Sequence, residues 1–149
     1  MAGRSPRLAA RAVILDAGRL LLVNAYPDGL SDLWCVPGGG AERGISLPEN
    51  LAREVHEETG LEIAVGDPCL VNEFHDPLGG FHQVDIYFRC SVQRGALDPA
   101  WRDPEGIVSR RRWFSRDEMA RIRYKPDSLP GVAWGDGGIL YDPLEPIVR

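Results

Sequence analysis

The sequence predicts a fold of mixed α and β structure, and three observations carry that prediction. Two aliphatic runs separated by a turn open the chain, a capping signature starts a helix near residue 46, and strand-like alternation resumes beyond it. The order that emerges is strands, helix, strands, helix. A chain of 149 residues has the size of one ordinary domain, here 1–149, able to close a core without disulfides or a structural metal.

Residues 12–15 and 20–23 are aliphatic or β-branched, and Asp16-Ala17-Gly18 between them supplies a glycine for positive φ, which predicts a hairpin. After the turn-rich residues 26–32, Trp34-Cys35-Val36 reads as a short strand. Pro37 and the triplet Gly38-Gly39-Gly40 stop it and predict a loop. Ser46 and Glu49 have the spacing of a capping box, with Pro48 in the first turn where its missing N–H costs little. The helix that starts there should reach Thr59 and close on Gly60.

Beyond the helix, residues 61–65 and 69–74 read as strands and 76–80 as a turn. Residues 83–91 form a further strand, with Val84, Ile86 and Phe88 alternating, and 110–114 another. Ser115 and Glu118 repeat the capping-box spacing and open a short helix through Met119 to Ile122. The tail, 125–149, is rich in proline and glycine. It predicts an ordered, irregular wrap with Trp134, Ile139, Leu140 and Tyr141 to bury.

Composition excludes several function classes. At 44% hydrophobic and 26% charged residues the chain is close to the globular average. A formal charge of -5 argues against a nucleic-acid polymer as partner, since that affinity needs clustered Lys and Arg. Arg110 to Arg112 is too short to reverse this and reads as a solvated strand edge. Cys35, Cys69 and Cys90 form no C-x-x-C pair, so free thiols in a reducing cytoplasm are expected. Arg11, Asp16 and Arg19 interrupt the early apolar residues, and neither a signal sequence nor a membrane segment is expected.

The chemistry concentrates in one segment. On a helix, Glu54, Glu57 and Glu58 stand at i, i+3 and i+4 and share one face, beside a packing stripe of Leu51, Ala52, Val55 and Thr59. Like charges at these spacings cost roughly 0.2–0.5 kcal/mol per pair, and Arg53 offsets only part of that. Clustered carboxylates are hard oxygen ligands suited to Mg²⁺ or Mn²⁺, with water and substrate phosphate completing the sphere. The glycines just before the helix let the backbone approach a ligand or offer it a carbonyl.

Gly39, followed by Arg53-Glu54-Val55-His56-Glu57-Glu58-Thr59-Gly60-Leu61, resembles the Nudix box, G-x5-E-x7-R-E-U-x-E-E-x-G-U, where U is a bulky aliphatic residue; it would span residues 39–61. The resemblance implies an α/β/α sandwich with a mixed β-sheet. It also implies hydrolysis of the diphosphate linkage in a nucleoside diphosphate joined to another moiety, for example ADP-ribose. By that likeness Gly38, through its carbonyl, and Glu54, Glu57 and Glu58 would hold Mg²⁺ or Mn²⁺. Glu57 and Arg53 would be catalytic, with Arg53 orienting the carboxylates.

One position departs from the box: Ile45 stands where its first glutamate belongs, leaving Glu42 or Glu49 to partner Arg53. Family members often carry one more acid on a later loop, as a ligand or general base, and Glu105 is the candidate here, with Asp103 as the alternative. For the substrate, Phe81 offers a stacking surface, and His75 and His82 flank the turn that holds Pro77. That proline is similar in placement to one in some ADP-ribose-hydrolysing members. The rival reading is a Nudix-like sensor that binds a nucleotide derivative without cleaving it. Ile45 is its main support, and the three retained acids count against it. The tail and the first hairpin are the surfaces open to a homodimer contact.

Overall fold

The structure is a computed structural model that describes residues 5–27 and 29–149. Strands β1 (Arg7–Asp16) and β2 (Arg19–Asn24) form the expected hairpin. Ala17 at φ 51° and Gly18 at φ 76° are the two left-handed residues that a type I′ turn requires. The chain continues through β3 (Leu33–Cys35), β4 (Gly38–Gly40), α1 (Leu47–Thr59), β5 (Glu62–Asp76) and β6 (Phe81–Arg94). Then come β7 (Arg111–Phe114), α2 (Arg116–Met119), β8 (Arg123–Tyr124), α3 (Leu129–Ala133), β9 (Leu140–Tyr141) and β10 (Glu145–Pro146).

Strand β1 is the hub of a mixed sheet. It pairs parallel with β6 along one side, while its other side is divided between β4 and β2, both antiparallel. The main path is β10-β5-β6-β1-β2-β3-β8, with β7 on β2 and β9 on β5. Because side chains alternate across a strand, Ala10, Ala12 and Ile14 of β1 face Leu51 and Val55 of α1. Val13 lies on the opposite face, in a core shared with Met119 of α2 and Leu129 and Val132 of α3. Helices therefore cover both faces of one mixed sheet, the layering that the sequence resemblance implies.

Four local expectations change. The glycine triplet is a strand rather than a loop, because Ala12 N–H donates to Pro37 O and Ala41 N–H to Leu8 O, each side of its pairing with β1. The two strands placed at 61–65 and 69–74 are one strand, β5, whose register shifts on both sides of Pro68, a residue with no N–H to give the ladder. The second helix is one turn, ending before Ile122 because β8 leaves at Arg123 to pair with β3. In the tail, the buried apolar residues are Leu129, Val132 and Ala133; Ile139, Leu140 and Tyr141 are exposed on the two-residue strand β9 and beside it. Among the described residues no helix is long and apolar enough to cross a membrane.

Candidate active site

The glycine strand and the acidic helix meet at close range. Gly38, Gly39 and Gly40 pair with Arg11, Ala10 and Ala9 of β1. A Cβ on Gly38 would lie 2.1 Å from the Ala10 carbonyl oxygen, and one on Gly39 would lie 2.7 Å from the Glu54 carboxylate. Only glycine leaves room for the acid to rest on the strand. The contact is then fixed by two hydrogen bonds: Gly38 N–H donates to Glu58 Oε2 at 2.9 Å, and Asn50 Nδ2 donates to Gly40 O at 2.8 Å.

The helix is set as its sequence predicts. Ser46 Oγ accepts the Glu49 N–H, and Gly60 at φ 80° returns its N–H to His56 O. Its last turn is held from outside as well, because Trp101 Nε1 donates to Glu57 O at 2.9 Å and Arg111 Nε donates to Glu58 O. Arg110 to Arg112 is thus more than a solvated edge. Arg110 lies over the Trp34 ring, Arg111 caps the helix, and Arg112 pairs with Glu118.

Arg53 is the centre of the carboxylate arrangement. Its Nη2 reaches Glu42 Oε1 at 2.9 Å, Asn50 Oδ1 at 2.7 Å and Glu54 Oε1 at 3.3 Å, while Nη1 reaches Glu57 Oε1 at 3.0 Å. Of the two substitutes considered for the missing glutamate at Ile45, Glu42 therefore makes the contact. Ile45 itself is on the surface.

Burial pushes the Glu58 carboxyl up to about 8, with Arg11 and the Gly38 N–H opposing and Glu54 and Asp103 adding to the rise. Burial also raises Glu54, against the pull of Arg53. A cavity of about 440 Å³ opens over these acids, lined by Arg7, Arg11, Gly38–Gly40, Glu54, Glu58 and Glu105 among others. Among the described residues no three acids are gathered into a ready-made cage, since Glu57 is turned to Arg53 and Glu58 to Gly38. Mg²⁺, however, is commonly held by one or two carboxylates with water and substrate phosphate. Two partly buried acids against an open glycine backbone suit such an ion, whose charge would offset the cost of ionising Glu58.

The two later acids divide their tasks. Asp103 is engaged by its own loop, accepting the N–H groups of Glu105, Ile107 and Val108. Glu105 is exposed at the rim of the acidic cavity and has a carboxylate with no hydrogen bond or ion pair among the described residues.

A second cavity, about 230 Å³, adjoins the first across Arg7, Arg11, Ala25 and Cys35. Phe81 lies in its wall beside Phe74, ring centroids 6.0 Å apart. His75, Pro77 and His82 line neither cavity. Strand periodicity is the reason: Phe81, Gln83, Asp85 and Tyr87 project into the cavity, so His82 projects the other way, 3.4 Å from Glu73 and near His75. Pro77 is exposed in a turn that the Asp76 carboxylate closes on Leu78 N–H and Gly79 N–H.

Sequence reading missed the polar floor between the cavities. Arg7 Nη1 donates to Gln83 Oε1 at 2.6 Å, Gln83 Nε2 donates to Asp85 Oδ1 at 2.7 Å, and Asp85 lies 3.5 Å from Arg11 Nε. Gln83 and Asp85 are buried, so the polar face of β6 looks into the cleft and not into solvent. Arg11, a charge in the middle of a strand of buried residues, was the available signal. Cys35 borders both cavities, but burial pushes its thiol up to about 11, leaving it protonated and a poor nucleophile near neutral pH.

A mixed sheet between helices, with acids resting on a glycine strand at one end of a two-part cleft, defines a small α/β protein suited to a phosphate-bearing ligand. The Nudix domain family model matches residues 5–135, and the chain belongs to that family, whose hydrolases generally use divalent metals. It is similar to "Nucleoside diphosphate-linked moiety X motif 6" of Mus musculus, 27% identical over 124 residues, covering 83% of this chain and 39% of that protein. It is also similar to "Putative ADP-ribose pyrophosphatase YjhB" of Bacillus subtilis, 30% identical over 94 residues, covering 61% of this chain and 44% of that protein. The chain thus spans roughly two fifths of the length of these relatives. Among solved structures, a Nudix hydrolase from Nitrosomonas europaea superposes with a TM-score of 0.69 at 28% identity, covering 84% of each chain.

Proposed function

We propose that the chain hydrolyses the diphosphate linkage of a nucleoside diphosphate joined to another moiety, using Mg²⁺ or Mn²⁺. The observation that carries this reading is the partly buried Glu58 carboxylate, hydrogen-bonded to the glycine strand beside Glu54 and facing a cavity that runs on into an apolar one. Glu54 and Glu58, with the Gly38 carbonyl and with Glu57 once it leaves Arg53, are the groups that would hold the metal. When bound, it would neutralise phosphoryl oxygens and acidify a water ligand.

The remaining roles belong to the chain. Arg53, tied to Glu42 and Asn50, keeps Glu54 and Glu57 in place. Arg7, hydrogen-bonded to the neutral Gln83, stands where the two cavities join and neutralises the diphosphate there. Glu105 takes a proton from water as its oxygen bonds to phosphorus. The bridging P–O bond breaks, and the second phosphate departs on its own moiety. The nucleoside occupies the apolar cavity, which favours an aromatic ring over a highly charged group, since Arg11 already answers Asp85 and Lys125 answers Asp127 and Glu145.

The test is a panel of ADP-ribose, dinucleoside polyphosphates, nucleotide sugars and oxidised deoxynucleoside triphosphates, assayed with Mg²⁺ or Mn²⁺. Glu105→Gln should lower kcat about a hundredfold with little change in KM. Tight binding of a panel member without any hydrolysis would favour the sensor reading instead.

A further inference from the structure

The apolar cavity is walled on one side by residues that follow the region matched by the Nudix family model. That match ends at residue 135, yet Glu145, Pro146, Ile147 and Val148 all line the cavity. These residues are held by specific bonds. Strand β10 pairs parallel with β5, Ile147 N–H donates to His75 O at 2.8 Å, and Tyr26 Oη donates to Val148 O at 3.1 Å. Arg123 Nη2 donates to Arg149 O at 2.9 Å, which fixes the chain just past the wall. Opposite stand Phe74 and Phe81.

We propose that the 146–148 segment is the specificity-determining wall of the cleft, and that it closes Ile147 and Val148 over the base of a nucleoside diphosphate. This rests on the reading of the apolar cavity as the nucleoside site. At about 230 Å³ the cavity is below the roughly 300–1,000 Å³ that drug-sized ligands occupy. It therefore fits one base with part of its ribose, and the second moiety stays outside. Chain that lies outside the family's matched region thus sets which base is accepted, while the box at residues 39–61 handles the diphosphate common to all candidates.

Equilibrium binding to the whole chain with Mn²⁺ present, so that the box can hold a diphosphate, separates this from catalysis, with ADP and inorganic pyrophosphate as probes, neither of them a nucleoside diphosphate joined to another moiety. Ile147→Ala removes contact area and should weaken ADP about tenfold. Val148→Trp fills the cavity and should weaken ADP further. Both variants should keep the wild-type melting temperature within a few degrees and bind pyrophosphate within twofold of wild type. ADP affinity unchanged in both variants, a fall in pyrophosphate affinity as large as that for ADP, or no ADP binding to the wild type would each overturn the proposal. Loss of the wild-type hydrolysis result with this pattern intact would instead count against the hydrolase reading alone.

Discussion

Arg53 shows how a residue-level departure is absorbed. The box position at Ile45 lacks its acid, but Glu42, three residues earlier, reaches the same guanidinium at 2.9 Å, and Asn50 reaches it at 2.7 Å. Glu42 was visible as one of two substitutes, while Asn50 was not, because an amide in a helix's first turn carries no signal until Gly40 O appears opposite it. A partly exposed ion pair contributes about 1 kcal/mol at most, so Glu42→Ala should lower kcat by about fivefold or less. Adding Ile45→Glu to that variant should restore the rate, while Ile45→Glu alone should change little. Steady-state kinetics on the four proteins decides it, and a large gain from Ile45→Glu alone would mean that Glu42 does not do this work.

At the scale of elements, α1 was legible to its last residue because its signals are local: Ser46, Pro48, Gly60 and the spacing of Leu51 and Val55. Strand β4 was not, since a glycine triplet becomes a strand only through β1, a partner distant in sequence. Its fit against α1 yields a prediction. Gly39→Ala places a Cβ 2.7 Å from the Glu54 carboxylate, a side chain that can shift, so the variant should fold but bind Mn²⁺ about tenfold more weakly. Gly38→Ala meets the Ala10 backbone oxygen at 2.1 Å and should lower the melting temperature by about 5 °C or more. Calorimetry of binding and of unfolding separates the two, and equal effects in both assays would contradict this division.

Across the whole molecule, the layering and the acidic end of the cleft could be read from sequence, while of the apolar end only Phe81 could. His75 and His82 were plausible neighbours of a loop, yet the one-residue alternation of β6 gives the cleft to Phe81, Gln83 and Asp85. The tail's role is similarly non-local, since Ile147 and Val148 reach the cavity only because β10 pairs with β5. Burial of the acidic end should also govern global stability. Glu58 holds its proton up to about 8 when folded, against an ordinary value of 4.5, so between these values the folded chain binds the extra proton. Stability of the metal-free protein should therefore fall as pH rises from about 4.5 to 8, and Mn²⁺ should reverse the loss. Thermal melts in EDTA across that range would show it, and stability rising with pH would contradict the assignment. The most direct measurement is the rate of diphosphate cleavage, followed by ³¹P NMR on the nucleotide panel, against Mn²⁺ concentration for wild type and Glu58→Gln. Metal-dependent release of two monophosphate products from a nucleoside diphosphate derivative is expected, reduced about a hundredfold or more in the variant; cleavage that persists in EDTA, or that Glu58→Gln leaves intact, would contradict the metal role of Glu58.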